Sequence, residues 1–198
     1  MYAEIKLSYG KAGQDGLYKI VFTADRDEPG MLNRVSVVLF ARGWDVISAR
    51  SESVGNGVKD TFFIEHPLGE QLDDELCEQM QKEVTWLIHK NITCVDYLSN
   101  MFSDLNIFSQ STFLVKSFEP VSDTIYNIEI EVDDNPGVLM KITYQLDAVG
   151  IDIVAFKAER VGNRALDYFK VRWKGRQPFE KRDIEFLQEL LNGEILVS

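Results

Sequence analysis

The 198 residues carry a formal net charge of −11, with 45% hydrophobic and 27% charged side chains, the make-up of an ordinary globular protein. Apolar runs fall short of the roughly 20 residues that cross a bilayer, and no basic region followed by an apolar stretch and cleavage site opens the chain, so a cytoplasmic, non-membrane protein is expected. An acidic surface repels phosphate backbones and anionic lipid, which argues against nucleic acid and membrane as partners. Cys77 and Cys94 lack any CxxC or His-rich spacing, so two separate thiols are expected, with no disulfide framework, metal or cofactor.

In chain order, Ala3 to Tyr9 alternates like a strand, and Leu17 to Thr23 is rich in β-branched and apolar residues, as a strand should be. "Asp-Glu-Pro-Gly-Met-Leu" at 27–32 then opens a stretch with apolar residues at helical spacing (Leu32, Val35, Leu39) that stops at Gly43. Asp45 to Ser53 and Val58 to Glu65 flank Gly55-Asn56 and read as a hairpin. Leu72, Leu76, Met80, Val84 and Leu87 form the apolar stripe of a second helix. A closing strand is assigned to Ile92–Tyr97. Leu98 to Asp123 has no counterpart in the repeat described next; its apolar part, Thr112 to Phe118, serves either as an added strand or as a connector.

The same series then returns. A shift of 107 residues places Asp27 on Asp134, Pro29 on Pro136, Gly30 on Gly137 and Leu32 on Leu139. The match continues through Gly43 and Gly150, Asp45 and Asp152, Gly55-Asn56 and Gly162-Asn163, Asp60 and Asp167, and Phe62 and Phe169. A register held over such a span indicates a duplicated unit. In the second copy the strand is Ile125 to Val132 and the helix carries Leu139, Ile142, Leu146 and Val149. The hairpin is Ile151–Val161 with Ala165–Trp173, the second helix carries Ile184, Leu187 and Leu191, and Ile195 to Val197 closes the unit. The order β-α-β-β-α-β is the split βαβ pattern. The expected fold is therefore α+β: two ferredoxin-like βαββαβ units with antiparallel sheets and helices on one face, paired side by side to cover their edges. The first unit spans 1–97 with an extra N-terminal strand, 98–123 connects, and 124–198 is the second.

A first strand, then Asp-x-Pro-Gly-x-Leu opening a helix, then Gly-x-Asp at the second strand resembles the ACT domain, over roughly Leu17 to Lys90 and Thr124 to Ser198. The tandem units are similar to the paired ACT domains of the nitrogen-regulation uridylyltransferases and to free-standing ACT-repeat proteins. The resemblance implies a regulatory module that binds a small metabolite, foremost an amino acid, at domain interfaces, with self-association through ACT sheets as a homodimer and a regulated enzyme as partner. It assigns ligand contact to Asp27, Glu28, Gly30, Met31, Leu32 and Asp45, and to Asp134, Asn135, Gly137, Val138, Leu139 and Asp152. The loop chemistry agrees: a helix N-terminus favours an anion such as a carboxylate, and glycine lets a ligand approach the backbone. For Asp27 and Asp134, helix capping and contact with a ligand ammonium group both stand. Asp45 and Asp152 alone read as solvated strand-end acids; Asp60 and Asp167 read as semi-buried acids paired to backbone N–H. Two departures stand out. The histidine that some family members carry four residues before the proline is here Asp25 and Val132, and Glu28 faces Asn135 in the alignment, so two working sites are not required.

No catalytic constellation accompanies these features. His66 and His89 lack counterparts in the second copy and read as structural or solvated, and no nucleophile, phosphate-loop or metal motif occurs. Tyr168-Phe169-Lys170 lacks the glycine spacing and basic surroundings of an RNA-binding sheet. The expected function is non-catalytic, with a ligand-free ACT-pair scaffold as the alternative.

Overall fold

Alternation of apolar and polar residues builds the sheet. Tyr18, Ile20 and Phe22 are buried while Lys19 between them is exposed, so one face of each strand is core and the other solvent. The computed structural model describes residues 3–13, 16–102, 113–175 and 177–192. The strands are β1 (Ile5–Lys11), β2 (Leu17–Ala24), β3 (Asp45–Val54), β4 (Gly57–Glu65), β5 (Leu114–Ser122), β6 (Ile125–Asp133), β7 (Ile151–Val161) and β8 (Arg164–Trp173). The helices are α1 (Met31–Ala41), α2 (Asp74–Lys90), α3 (Cys94–Ser99), α4 (Val138–Ala148) and α5 (Lys181–Leu191).

All eight strands join one antiparallel sheet in the order β1-β2-β4-β3-β7-β8-β6-β5. Its two halves mirror one another in order, and they meet where Ser48, Ala49 and Arg50 of β3 pair with Glu159, Ala158 and Lys157 of β7. The repeat positions are structural equivalents: Ile20 pairs with Phe62 as Ile128 pairs with Phe169. Burying each of those phenylalanines contributes about 1.5–3 kcal/mol. On the helical layer α1 packs against both α2 and α4, which closes the core over the seam. The α+β class and the two ferredoxin-like units are as expected.

Chain order within a unit differs from the expectation in one respect. Ile92–Tyr97 does not close the first sheet, because Cys94–Ser99 is the helix α3. Thr93 caps it, its hydroxyl accepting the Asp96 N–H at 3.1 Å, and this capping chemistry outweighs the β-branched pair Ile92-Thr93. The position beside β2 is taken instead by β1, the alternating segment that had no place in the repeat. Likewise β5, from the stretch between the repeats, lies beside β6. The strand expected at Ile195–Val197 lies outside the described residues.

Helix ends follow local chemistry. Gly43 (φ 78°) ends α1 with Gly43 N–H on Phe40 O and Trp44 N–H on Leu39 O, both at 2.9 Å, the paired bonds of a Schellman motif. His66 packs its ring edge against Trp44, and His89 Nε2 lies 2.9 Å from Ala3 O, so both histidines hold structure together.

Candidate functional site

The two Asp-x-Pro-Gly loops are superposable pieces of chemistry. Met31 N–H donates to Glu28 O and Val138 N–H to Asn135 O, at 3.3 and 3.1 Å. With proline second and glycine third at φ 82° and 81°, each is a type II turn, which requires glycine there. Asp27 N–H donates to Asn56 O and Asp134 N–H to Asn163 O, so each loop is tied to the hairpin tip of its own unit. The helices begin with Gly30 and Gly137 at the cap position and no side-chain cap bond. Asp27 and Asp134 are therefore not N-caps, and their carboxyl groups are left for other partners.

Each loop faces the opposite unit. The second-loop site gathers Asp134, Asn135, Gly137, Val138 and Leu139 with Phe40, Trp44, Asp45 and Arg160, and Asp167 lines it too. The first-loop site gathers Asp27, Glu28, Gly30, Met31 and Leu32 with Asp60, Thr143, Asp147 and Phe156. Asp152 sits close enough to Asp27 to disturb its ionisation without lining the site. The free space is small, about 30 Å³ at the second loop and 20 Å³ at the first, room for water and not for a metabolite.

Electrostatics separates the twins. At the second loop the Arg160 guanidinium forms an ion pair with Asp134 through Nε, hydrogen-bonds Asp45 through Nη2, and reaches Glu65 through Nη1 at 3.0 Å. Asp134 and Asp45 are drawn in, with side chains 13% and 12% exposed. Burial raises the Asp45 carboxyl despite the opposing Arg160 charge. At the first loop Arg172 is engaged with Asp152 at 2.7 Å, whose side chain is 3% exposed, and Lys174 holds Asp147 at 2.8 Å. No described cation lies within ion-pairing distance of Asp27 or Asp60. Asp27 is exposed at the site's mouth, yet partial shielding from water and then the Asp152 charge push its carboxyl up to about 6, against Arg172.

Under each loop lies a second acid, fully buried where semi-burial was expected. Asp60 and Asp167 are each 2% exposed, and Asp60 Oδ1 and Asp167 Oδ2 have no hydrogen-bond partner. Burial first, and the neighbouring Asp27 charge second, push Asp60 up to about 8. Asp167 rises to about 7 by burial and the Asp134 charge, restrained by a backbone bond from Glu159.

Sequence reasoning missed the arginines. Its available signal was a break in the repeat: Glu65 aligns with Arg172, and Ser53 with Arg160. In the sheet, Asp45 stands opposite Glu65, whereas Asp152 stands opposite Arg172. Acid faces acid in one hairpin and base in the other, so the first pair draws its cation from β7 across the seam. Among the described residues no group of three His, Cys, Asp or Glu side chains is placed to hold a metal ion, and no helix is long and apolar enough to cross a membrane.

No family model matches the sequence. Bifunctional uridylyltransferase/uridylyl-removing enzymes of Acinetobacter baumannii strains AYE and ACICU are each 24% identical over 193 residues, a match covering 94% of this chain and 21% of the enzyme. The chain thus spans about a fifth of the length of the curated relatives it matches. Among solved structures, aspartate kinase from Synechocystis aligns over 91% of this chain and 26% of its own, at 14% identity and a TM-score of 0.46. A putative glycine cleavage system transcriptional repressor aligns over 89% and 91%, at 13% identity and a TM-score of 0.31. The duplicated Asp-x-Pro-Gly-x-Leu loops, the paired ferredoxin-like units and the match to the uridylyltransferases support the resemblance of this chain to a tandem ACT-type protein.

Proposed function

We propose that this chain is a non-catalytic regulatory module that binds a small metabolite, an amino acid, at the interface between its two units. The observation that carries this reading is the crossed arrangement of the loops. Residues of the loop at Asp27 share a site with α4 and β7, and those of the loop at Asp134 share one with α1 and β3. A ligand held there touches both units at once, so it favours one relative arrangement of them over another. Helix N-termini offer dipoles for a carboxylate, and the adjacent acids offer partners for an ammonium group. With free space of only 20–30 Å³, binding widens the seam, and that movement is the signal.

The division of the chain near residues 98–123, with β5 counted in the second unit, belongs to this proposal. So do a cytoplasmic location, homodimerisation through the open sheet edges at β1 and β5, and a regulated enzyme as partner. A ligand-free scaffold is the second reading, favoured by the closed sites and by Arg160 already satisfying one of them. Thermal unfolding against the twenty common amino acids separates the two. A ligand of the native state raises the midpoint with concentration, and silence at millimolar levels of every one of them sinks the sensor reading.

A further inference from the structure

We propose that this chain takes up one ligand ammonium group, at the first-loop site between Asp27 and Asp60, and that Arg160 fills the twin site as a tethered internal cation. The inference rests on the reading above only in letting a ligand enter at these loops.

The two sites share a backbone and an arrangement of acids. Asp27 and Asp60 in one correspond to Asp134 and Asp167 in the other, and each buried acid keeps one oxygen without a partner. Among the described residues, only the second-loop site has a cation ion-paired with its loop acid: Arg160 reaches Asp134, Asp45 and Glu65 together. Its counterpart in the repeat is Ser53, which supplies no charge to the first-loop site.

Three described cations near the first-loop site have other partners. Arg34 on α1 turns its guanidinium to Gly30 O and Asn91 Oδ1, at 2.9 and 3.0 Å. Arg172 on β8 is committed to Asp152 on β7, and Lys174 to Asp147 on α4. Glu28, on the loop itself, adds a further negative charge at the mouth. Asp27 and Asp60 remain, one at the mouth and one at the floor. An ammonium group has three donors in a compact head, suited to bridging Asp27 and Asp60, whereas in the twin the planar guanidinium of Arg160 reaches Asp134 and Asp45 and leaves Asp167 Oδ2 without a partner. Val58, Ile151, Ile153 and Phe156 line the same site, so part of the ligand beyond its ammonium group meets apolar side chains. Because a neutral Asp60 cannot pair with an ammonium ion, uptake releases protons, and binding strengthens as pH rises through the range where Asp60 ionises.

The test uses the full chain with 13C-labelled aspartate carboxyls and methylammonium chloride as probe, against tetramethylammonium chloride, which cannot donate a hydrogen bond, at equal ionic strength. The expected result is saturable shifts at Asp27 and Asp60 and none at Asp134 and Asp167. Asp60→Asn weakens binding roughly tenfold to a hundredfold and flattens its pH dependence, while Arg160→Gln brings Asp134 and Asp167 into the response. Equal responses at both sites of the unmodified chain, or a response at Asp60 no larger than with tetramethylammonium, overturns the proposal whether or not the variants fold. The two readings fail separately. Silence of all amino acids with a methylammonium response at Asp27 and Asp60 removes the amino acid and leaves the ammonium site. An amino acid bound at two equivalents per unmodified chain leaves the sensor and removes the single site.

Discussion

The loop at Asp134 and the loop at Asp27 have the same turn, the same glycine conformation and the same hairpin tie, yet one is closed by an arginine and the other is not. Duplication copied the backbone; a few charge changes then separated the twins. The swap of Glu65 for Arg172 decides whether the strand-end aspartate finds its cation in its own hairpin or across the seam. An ion pair inside one unit and an ion network between units differ in consequence, because only the second resists separation of the halves.

Removing each arginine tests that difference most strongly. Arg172→Ala leaves Asp152, with a side chain 3% exposed, as an uncompensated buried charge, and the expected loss is about 3–5 kcal/mol in urea unfolding at neutral pH. Arg160→Ala leaves Asp45 and Asp134, whose side chains are 12% and 13% exposed and keep some water, so the loss is smaller. A larger loss at Arg160 would mean that the seam network, not the hairpin pair, dominates.

The turn glycines come next. A methyl at Gly137 would meet the Phe40 ring at 2.5 Å, whereas one at Gly30 meets the ends of the Arg34 and Asp147 side chains. Flexible ends move aside and a buried-side ring does so less readily, so Gly137→Ala costs about 2–4 kcal/mol and Gly30→Ala about 1–2 kcal/mol. Adding Phe40→Leu to Gly137→Ala recovers part of the loss if the ring is the cause. No recovery would trace the whole cost to the backbone.

The buried acids separate the sites by pH. Asp60 and Asp167 are pushed up from an ordinary 3.8 to about 8 and about 7, so between those values the native state holds protons that the unfolded chain has lost. Stability from these groups is full below about pH 4 and falls as pH rises towards 7–8, beyond which it levels. Asp60→Asn therefore leaves stability at pH 4 nearly unchanged and raises it at pH 8 by about 1–3 kcal/mol. Asp167→Asn gains less, since Asp167 has a backbone bond from Glu159. Equal gains in chemical denaturation at both pH values would remove burial as the origin of the shift.

Much of this was written in the repeat. The alignment of Asp27 with Asp134 and Phe62 with Phe169 located both helices, both hairpins and both loops, because period and turn chemistry are local properties. The edge strands were not legible in the same way. β1 and β5 lie outside the matched segment, and whether an edge position is filled by a preceding or a following strand is decided by packing against β2 and β6. Ile92–Tyr97 misled because its β-branched residues outweighed the Thr93 cap in the reading. Arg160 escaped notice because it acts on residues 26 to 115 positions away, in β3, in β4 and in the loop before α4.

The smallest predicted effect is a coupling across the seam itself. Asn33 Nδ2 donates to Thr143 Oγ1 at 3.1 Å between α1 and α4, with Asn33 2% and Thr143 0% exposed. Thr143 also donates to Met140 O at 3.0 Å, and the Cys94 thiol meets Asn33 Oδ1. The hydroxyl therefore has one proton, directed to Met140, and serves Asn33 as an acceptor. Thr143→Val keeps the shape, removes that acceptor and leaves the Asn33 amide buried without it, at an expected cost of about 1–3 kcal/mol. Asn33→Leu alone frees the hydroxyl's lone pair, a milder loss because Thr143 keeps its bond to Met140. In the double variant no amide remains to be stranded, so the two losses should not add, and a double-mutant cycle should give a coupling of about 0.5–1.5 kcal/mol. Strict additivity would mean that the two helices meet through apolar packing alone, and that this bond adds nothing to holding the two units in register.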